Sequence, residues 1–322
     1  MPELLSRLGA VARQLDERYG IHERDVQVLL VNDGSTDKTL DMLRDHCHTH
    51  PGHAVINLSR NHGHQVAITA GLDHAQGDAV VIIDGDLQDP PEVILDLYEK
   101  YREGYDVVYA VRNTRDGETW FKLVTANLFY KALRYLTRVD IPANTGDFRI
   151  MSRRMADALG GLRERHRFVR GLVSWIGFRQ TGILYDRQPR FAGETKYPFS
   201  KMVRFAVDGI TAFSSVPLRI TSYFGFLIAG AGFLYALYVL YLRFFTDQTV
   251  QGWTSLIVIV LLLGGVQLIA LGVIGEYLGR LHDESKQRPL YIVERIYKAE
   301  SPLPEGCRDA RIEDRRPDDR RA

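Results

Sequence analysis

The sequence predicts an α/β protein built on a mostly parallel sheet and followed by two helices long enough to cross a membrane. Up to about residue 200, short apolar runs alternate with helical patterns, as strands and their covering helices do in such a sheet. Three of these runs end in polar loops, the place where open α/β sheets bind ligands. Two long uncharged stretches then follow.

Residues 3–19 put Leu4, Leu5, Leu8, Val11, Ala12 and Leu15 on one helical stripe. Val26–Val31 reads as a strand ending in Asn32-Asp33-Gly34-Ser35-Thr36-Asp37, with a helix to about His46. Ala54–Leu58 is a short strand that leads into Ser59-Arg60-Asn61-His62-Gly63, and His64–His74 is helical. Ala79–Ile83 is an unbroken apolar run, as expected of a strand covered on both faces. Asp89-Pro90-Pro91-Glu92 opens the next helix, with Asp89 suited to the N-cap and Pro90 to the first turn. Val107–Val111 is a strand and Trp120–Leu136 a helix.

Beyond residue 200 the composition changes. Pro217–Leu242 carries one cation, Arg219, near its start, and Trp253–Gly275 carries no charge. About 20 apolar residues cross a hydrocarbon core, and globular helices of this length seldom lack a charged face. The short link Arg243–Gly252 makes the two a hairpin. Lys201, Arg204 and Arg219 on one flank and Arg280, Lys286 and Arg288 on the other predict that both ends lie in the cytoplasm. Phe199–Ser215 is amphipathic and suits either the membrane surface or the soluble domain as its partner. The expected organisation is therefore a soluble domain over 1–198, an interface helix over 199–216, a hairpin over 217–278, a cytoplasmic segment over 279–299 and a disordered tail over 300–322.

The net charge of +1 gives no electrostatic case for nucleic acid. Cys47 and Cys307 fall in dissimilar regions, so no disulfide is expected and a reducing compartment fits. The charged amphipathic start is not a secretory signal peptide.

Asp84-Gly85-Asp86-Leu87-Gln88 carries the strongest chemical signal. Residues two apart in extended chain point the same way, so Asp84 and Asp86 can face one target. Two carboxylates and an amide oxygen suit Mg²⁺ or Mn²⁺ held jointly with phosphate oxygens. Like charges so gathered repel unless a cation relieves them. The loops at Asp33 and Arg60 read either as ordinary turns or as a nucleotide seat. His62 and His64 read either as solvated or as metal ligands.

The combination Val31-Asn32-Asp33-Gly34-Ser35-Thr36-Asp37, Asp84-Gly85-Asp86-Leu87-Gln88-Asp89-Pro90-Pro91-Glu92 and Thr145-Gly146-Asp147-Phe148-Arg149 resembles the family 2 inverting glycosyltransferases with a GT-A fold. Arg167-Phe168-Val169-Arg170-Gly171, Trp175-Ile176-Gly177-Phe178 and Arg190-Phe191-Ala192-Gly193-Glu194 extend the similarity toward the bactoprenol glucosyltransferase type and, more distantly, the dolichyl-phosphate mannose synthases. The resemblance spans roughly residues 1–298 and includes both apolar runs.

The resemblance implies transfer of a hexose, in the first place glucose, from a UDP-sugar donor to polyprenyl (undecaprenyl) phosphate at the cytoplasmic face of a bacterial inner membrane. It implies that Asp33, Asp37, Arg60 and Asp84 seat the nucleotide, and that Asp84, Asp86 and Gln88 hold the divalent ion. Arg112, Arg149 and Arg190 would grip the acceptor phosphate. Asp147 matches the family's candidate catalytic aspartate, with Asp86 beside the reacting groups. The lipid bilayer and further copies of the chain, in a homotetramer, are the implied partners. One departure stands out. Family members begin with a central strand that is missing before Met1-Pro2-Glu3-Leu4-Leu5, so a gapped sheet and a natural start further upstream are expected. Competing readings are a mannose or aminoarabinose transferase, a processive synthase, which lacks its usual Gln-x-x-Arg-Trp here, and an inactive membrane scaffold.

Overall fold

The computed structural model describes residues 1–113, 142, 145–187, 211, 214–245 and 252–299. The helix expected over Trp120–Leu136, most of the amphipathic segment, Arg190 and the tail lie outside the described residues.

The α/β class is borne out. Helix α1 (Pro2–Tyr19) turns Val11 and Leu15 onto α4 (Val93–Arg102) and the sheet beneath. Strand β1 (Val28–Asn32) leads to α2 (Thr39–Thr49), β2 (His53–Leu58) to α3 (His64–His74), and β3 (Ala79–Ile82) through the acidic loop to α4. Then come β4 (Val107–Arg112), β5 (Thr145–Ser152), α5 (Arg153–Gly161), α6 (Val169–Ile176) and β6 (Gln180–Tyr185). The apolar helices are α7 (Val216–Phe245) and α8 (Trp253–Ser285), and β7 (Val293–Lys298) ends the described chain.

The pairing corrects the expectation of one mostly parallel sheet. Strands order as β1-β2-β7 in one sheet and β3-β5-β4-β6 in another. The pairs β1/β2 and β4/β6 are parallel, whereas β2/β7, β3/β5 and β4/β5 are antiparallel. The reason is where the chain re-enters. Thr145 pairs beside Val111, at the end where β4 leaves, so β5 must run back along its neighbour. Among the described residues, β1 and β3 each pair on one side only. Val28 to Val31 and Ala79 to Val81, apolar as they are, stay only half buried along these strands.

This register gathers the site at one end. The ends of β3, β4 and β6 and the start of β5 lie together, because Ile82 pairs with Arg149, Val111 with Thr145 and Arg112 with Tyr185. Alternation along β5 sorts its side chains between two cores. Phe148 and Ile150 enter the layer with α1 and α4, while Met151 packs with α5 and α6.

The hairpin is longer than its uncharged runs. At 1.5 Å per residue, the 30 residues of α7 and 33 of α8 reach about 45 and 50 Å, against a hydrocarbon core of about 30 Å. The charged end of α8 is tied to the start of α7 and to the segment between α5 and α6. Tyr277 donates to the Ser214 carbonyl at 2.6 Å, Arg165 N–H to Glu284 at 3.1 Å, and His166 lies 3.7 Å from Asp283. The chain then enters the sheet as β7. Asn32, Asn57 and Glu294 form a polar ladder across β1, β2 and β7, with two hydrogen bonds of 2.7 Å.

Candidate active site

The acidic loop leaves β3 after the buried Ile82. Leu87 takes a left-handed φ of 59°, uncommon for a branched side chain, so the loop is held in a fixed and costly shape. Asp86 accepts a hydrogen bond from the Gln88 N–H at 3.1 Å, closing a tight turn between two of the proposed metal-binding residues. Burial pushes the Asp84 carboxyl up, and nearby Asp147, Asp89 and Asp86 add to this against the opposing pull of His64. Asp89 is not the N-cap of α4, which starts at Val93. It is fully buried and accepts the Tyr185 phenol instead.

Asp147 is the charge hub of the site. It is 2 % exposed and receives Arg170 through two bonds, Nε to Oδ1 at 3.0 Å and Nη2 to Oδ2 at 3.1 Å. His64 Nε2 lies 3.0 Å from Oδ2, Gln65 Nε2 donates at 3.2 Å, and Arg149 Nη2 lies 3.6 Å from Oδ1. Burial alone would raise this carboxyl. The His64 hydrogen bond and the Arg170 guanidinium outweigh it, so Asp147 titrates well below the ordinary carboxylate range. The bond to Asp147 in turn raises His64 against its partial burial. His64 Nε2 is also 3.6 Å from Asp84 Oδ1, so one imidazole bridges the hub and the acidic loop.

The expected nucleotide residues stitch loops together. Asp33 accepts the backbone N–H groups of His62 at 2.7 Å and Gly63 at 2.8 Å, joining the loops after β1 and β2 and setting the start of α3. Gly34, at φ 68°, makes this approach possible: a Cβ there would lie 2.6 Å from the Arg60 carbonyl carbon and nearer still to Asn61 N. Asp37 accepts the Thr39 N–H at 3.0 Å at the start of α2, and the Thr39 side chain first and this N–H second lower its pKa. Arg60 Nη1 donates to the Asn61 carbonyl at 3.3 Å.

Of the expected acceptor arginines, Arg112 lies at the end of β4 with Nη2 3.2 Å from where a Cβ on Gly146 would stand. Arg149 is turned inward, 3 % exposed, and donates to the carbonyls of Gly146 at 2.9 Å and Asp147 at 3.2 Å. Burial pushes its guanidinium down to about 10, against the pull of Asp147.

Among the described residues no three His, Cys, Asp or Glu side chains converge as a metal cage. Two carboxylates and an amide instead fit an ion shared with phosphate oxygens, and the carboxylate crowding that adds to the effect of burial on Asp84 is what a cation would relieve. His64, Gln65 and Arg170 carry no definite role in the sequence alone. Gln65 accepts the Val169 N–H at 2.8 Å, so α3 and α6 brace each other around Asp147.

Comparison with known proteins agrees with this geometry. The family description "Glycosyl transferase family 2" matches residues 2–160, and "GtrB C-terminal hairpin" matches residues 216–281. The chain is 54 % identical over 299 residues to the "Uncharacterized glycosyltransferase YkcC" of Bacillus subtilis, covering 93 % of this chain and 90 % of that one. It is 42 % identical to the "Bactoprenol glucosyl transferase" of Shigella phage SfV, over 84 % of this chain and 88 % of the relative. It is 40 % identical to the "Prophage bactoprenol glucosyl transferase homolog" of Escherichia coli, over 85 % and 90 %. A polar site at the strand ends, an apolar hairpin and these relatives together place the chain in the family 2 glycosyltransferases, among the polyprenyl-phosphate glycosyltransferases of the bactoprenol glucosyltransferase type.

Proposed function

We propose that this protein transfers glucose, with inversion, from UDP-glucose to undecaprenyl phosphate at the cytoplasmic face of a bacterial inner membrane. The observation that carries the reading is the bridge from Asp84 through His64 to Asp147, Arg149 and Arg170 on a chain that also holds two apolar helices. It sets an acidic loop suited to a nucleotide diphosphate beside a cluster of cations suited to a second phosphate.

An oxygen of the lipid phosphate attacks the anomeric carbon as the bond from that carbon to the UDP oxygen breaks. A phosphate monoester has a second pKa near about 6, so the nucleophile is already ionised and no strong base is needed. Asp147, saturated by donors and held ionised, suits the task of fixing Arg170, Arg149 and His64 better than that of taking a proton. Asp84, Asp86 and Gln88 would hold Mg²⁺ or Mn²⁺, which when bound stabilises charge on the departing diphosphate. Asp33 and Asp37 shape the nucleotide loops, and Arg60 lies at their edge. Arg112 and Arg190 complete the acceptor grip. The lipid acceptor stays in the bilayer, so α7 and α8 hold the site at its surface.

The test is a transfer assay on the full chain in detergent with undecaprenyl phosphate, a divalent ion and a panel of radiolabelled sugar nucleotides. Glucose label should move into a chloroform-soluble product. A mannose or aminoarabinose label moving in its place would redirect the donor, and no chloroform-soluble label from any donor would overturn the activity.

A further inference from the structure

A second network stands beside the Asp147 hub, and of its residues the mechanism above uses only Arg112. Its centre is Asp89, the last residue of the acidic loop, which is 0 % exposed. The Tyr185 phenol donates to Asp89 Oδ1, and Arg187 Nε lies 3.4 Å from the same oxygen. Arg112 donates in turn to the Tyr185 oxygen. The other carboxylate oxygen, Oδ2, and the Nε of Arg112 are buried without a hydrogen-bond partner. Phe148 packs edge-on against the Tyr185 ring, with centroids 6.0 Å apart, and fixes its plane.

Among the described residues, two guanidiniums meet one carboxylate here, leaving a net positive charge of one, partly buried at the strand ends. Such a charge is costly without an anion. Tyr185 lies opposite Arg112 in the β4/β6 register, so a single phenol joins the arginine at the end of one strand to the loop that follows another.

We propose that Tyr185 and Asp89 are positioning residues that hold Arg112 and Arg187 as a pair for the phosphate of the acceptor, and that Arg187 is itself an acceptor-phosphate ligand. This rests on the transferase reading above and deepens it. Asp89 follows Asp84, Asp86 and Gln88 on one loop, so the donor side and the acceptor side share a single rigid segment. The Tyr185 hydroxyl does not ionise in the cycle. Burial first, and its bond to Asp89 second, push it up to about 12.

The test is binding by the full chain in detergent, with farnesyl phosphate as acceptor probe, farnesol as its uncharged control and UDP with Mg²⁺ as donor probe. Wild type should bind farnesyl phosphate and UDP and not farnesol. Tyr185→Phe keeps the ring on Phe148 and removes the bridge. Arg187→Gln alters a side chain that is 27 % exposed and spares the fold if the first variant fails to fold. Each should weaken farnesyl phosphate about tenfold while UDP stays within about twofold. An unchanged farnesyl phosphate affinity in Arg187→Gln, or equal losses for both probes, would overturn the proposal. Wild type that binds neither probe would instead overturn the transferase reading on which it stands.

Discussion

Replacing Asp147 with Asn separates a charge hub from a general base. The substitution keeps the size of the side chain and removes its charge. Arg149, 3 % exposed, would then be a buried cation without its anion, and Arg170 would face an amide with at least one donor opposed to its own. Removing one partner of a buried ion pair costs about 3–5 kcal/mol. For a catalytic layer of this size each kcal/mol moves the melting temperature by about 2–4 °C, so a fall of roughly 6–20 °C is expected. The assay pairs a thermal melt of the full chain in detergent with transfer measured well below the variant's midpoint. Wild type should keep this stabilisation at neutral pH and lose it only in acid. The folded pKa lies below the ordinary 3.8, so the stability is present above that value and declines as pH falls through the folded one. A variant that melts within about 2 °C of wild type yet transfers nothing would refute the hub and point to direct chemistry at this carboxylate.

Gly34→Ala should cost about 1–2 kcal/mol for the left-handed backbone, push the Arg60–Asn61 segment away and weaken UDP binding in a titration, since the added Cβ meets backbone rather than a movable side chain. His53, hydrogen-bonded to His46 at 2.9 Å, is held down to about 4 by burial first and by His46 and His50 next. The unfolded chain therefore binds the extra proton between about 4 and 6.5, so stability should rise with pH across that window, and His53→Gln should flatten the rise in a series of melts. Chelation should abolish transfer, and Mg²⁺ or Mn²⁺ should restore it. In Asp86→Asn restoration should need roughly tenfold more metal, and transfer indifferent to chelator would exclude the ion from the reaction.

Local pattern made much of this protein legible. The stripe of α1, the apolar run of β3 and the uncharged lengths of α7 and α8 are each written within one segment. Partners far along the chain were not. Asp-Pro-Pro-Glu looks like a helix start, and what turns Asp89 inward is a phenol 96 residues away. His64 opens α3 after a polar loop and reads as either solvated or a metal ligand until Asp147, 83 residues on, is folded against it. Arg170 could be found only as part of a family motif, because its role depends on α6 lying across the start of β5. The strand Val293–Lys298 shows no clean alternation in sequence, and nothing local says that it returns to pair with β2.

That return has a mechanical consequence. The helix α8 is longer than a hydrocarbon core is thick, and the chain that leaves it becomes a strand locked to β2 and laddered to β1 through Asn57. The catalytic layer is thus mounted on a shaft rather than moored by a tether. Its height is counted in helical rise and its heading in helical phase: one residue added to the charged end of α8 would lift it about 1.5 Å and swing it about 100°. A lipid phosphate that stays at the depth of the headgroups would then meet a site set at fixed altitude and bearing, whatever the length of the tail beneath it.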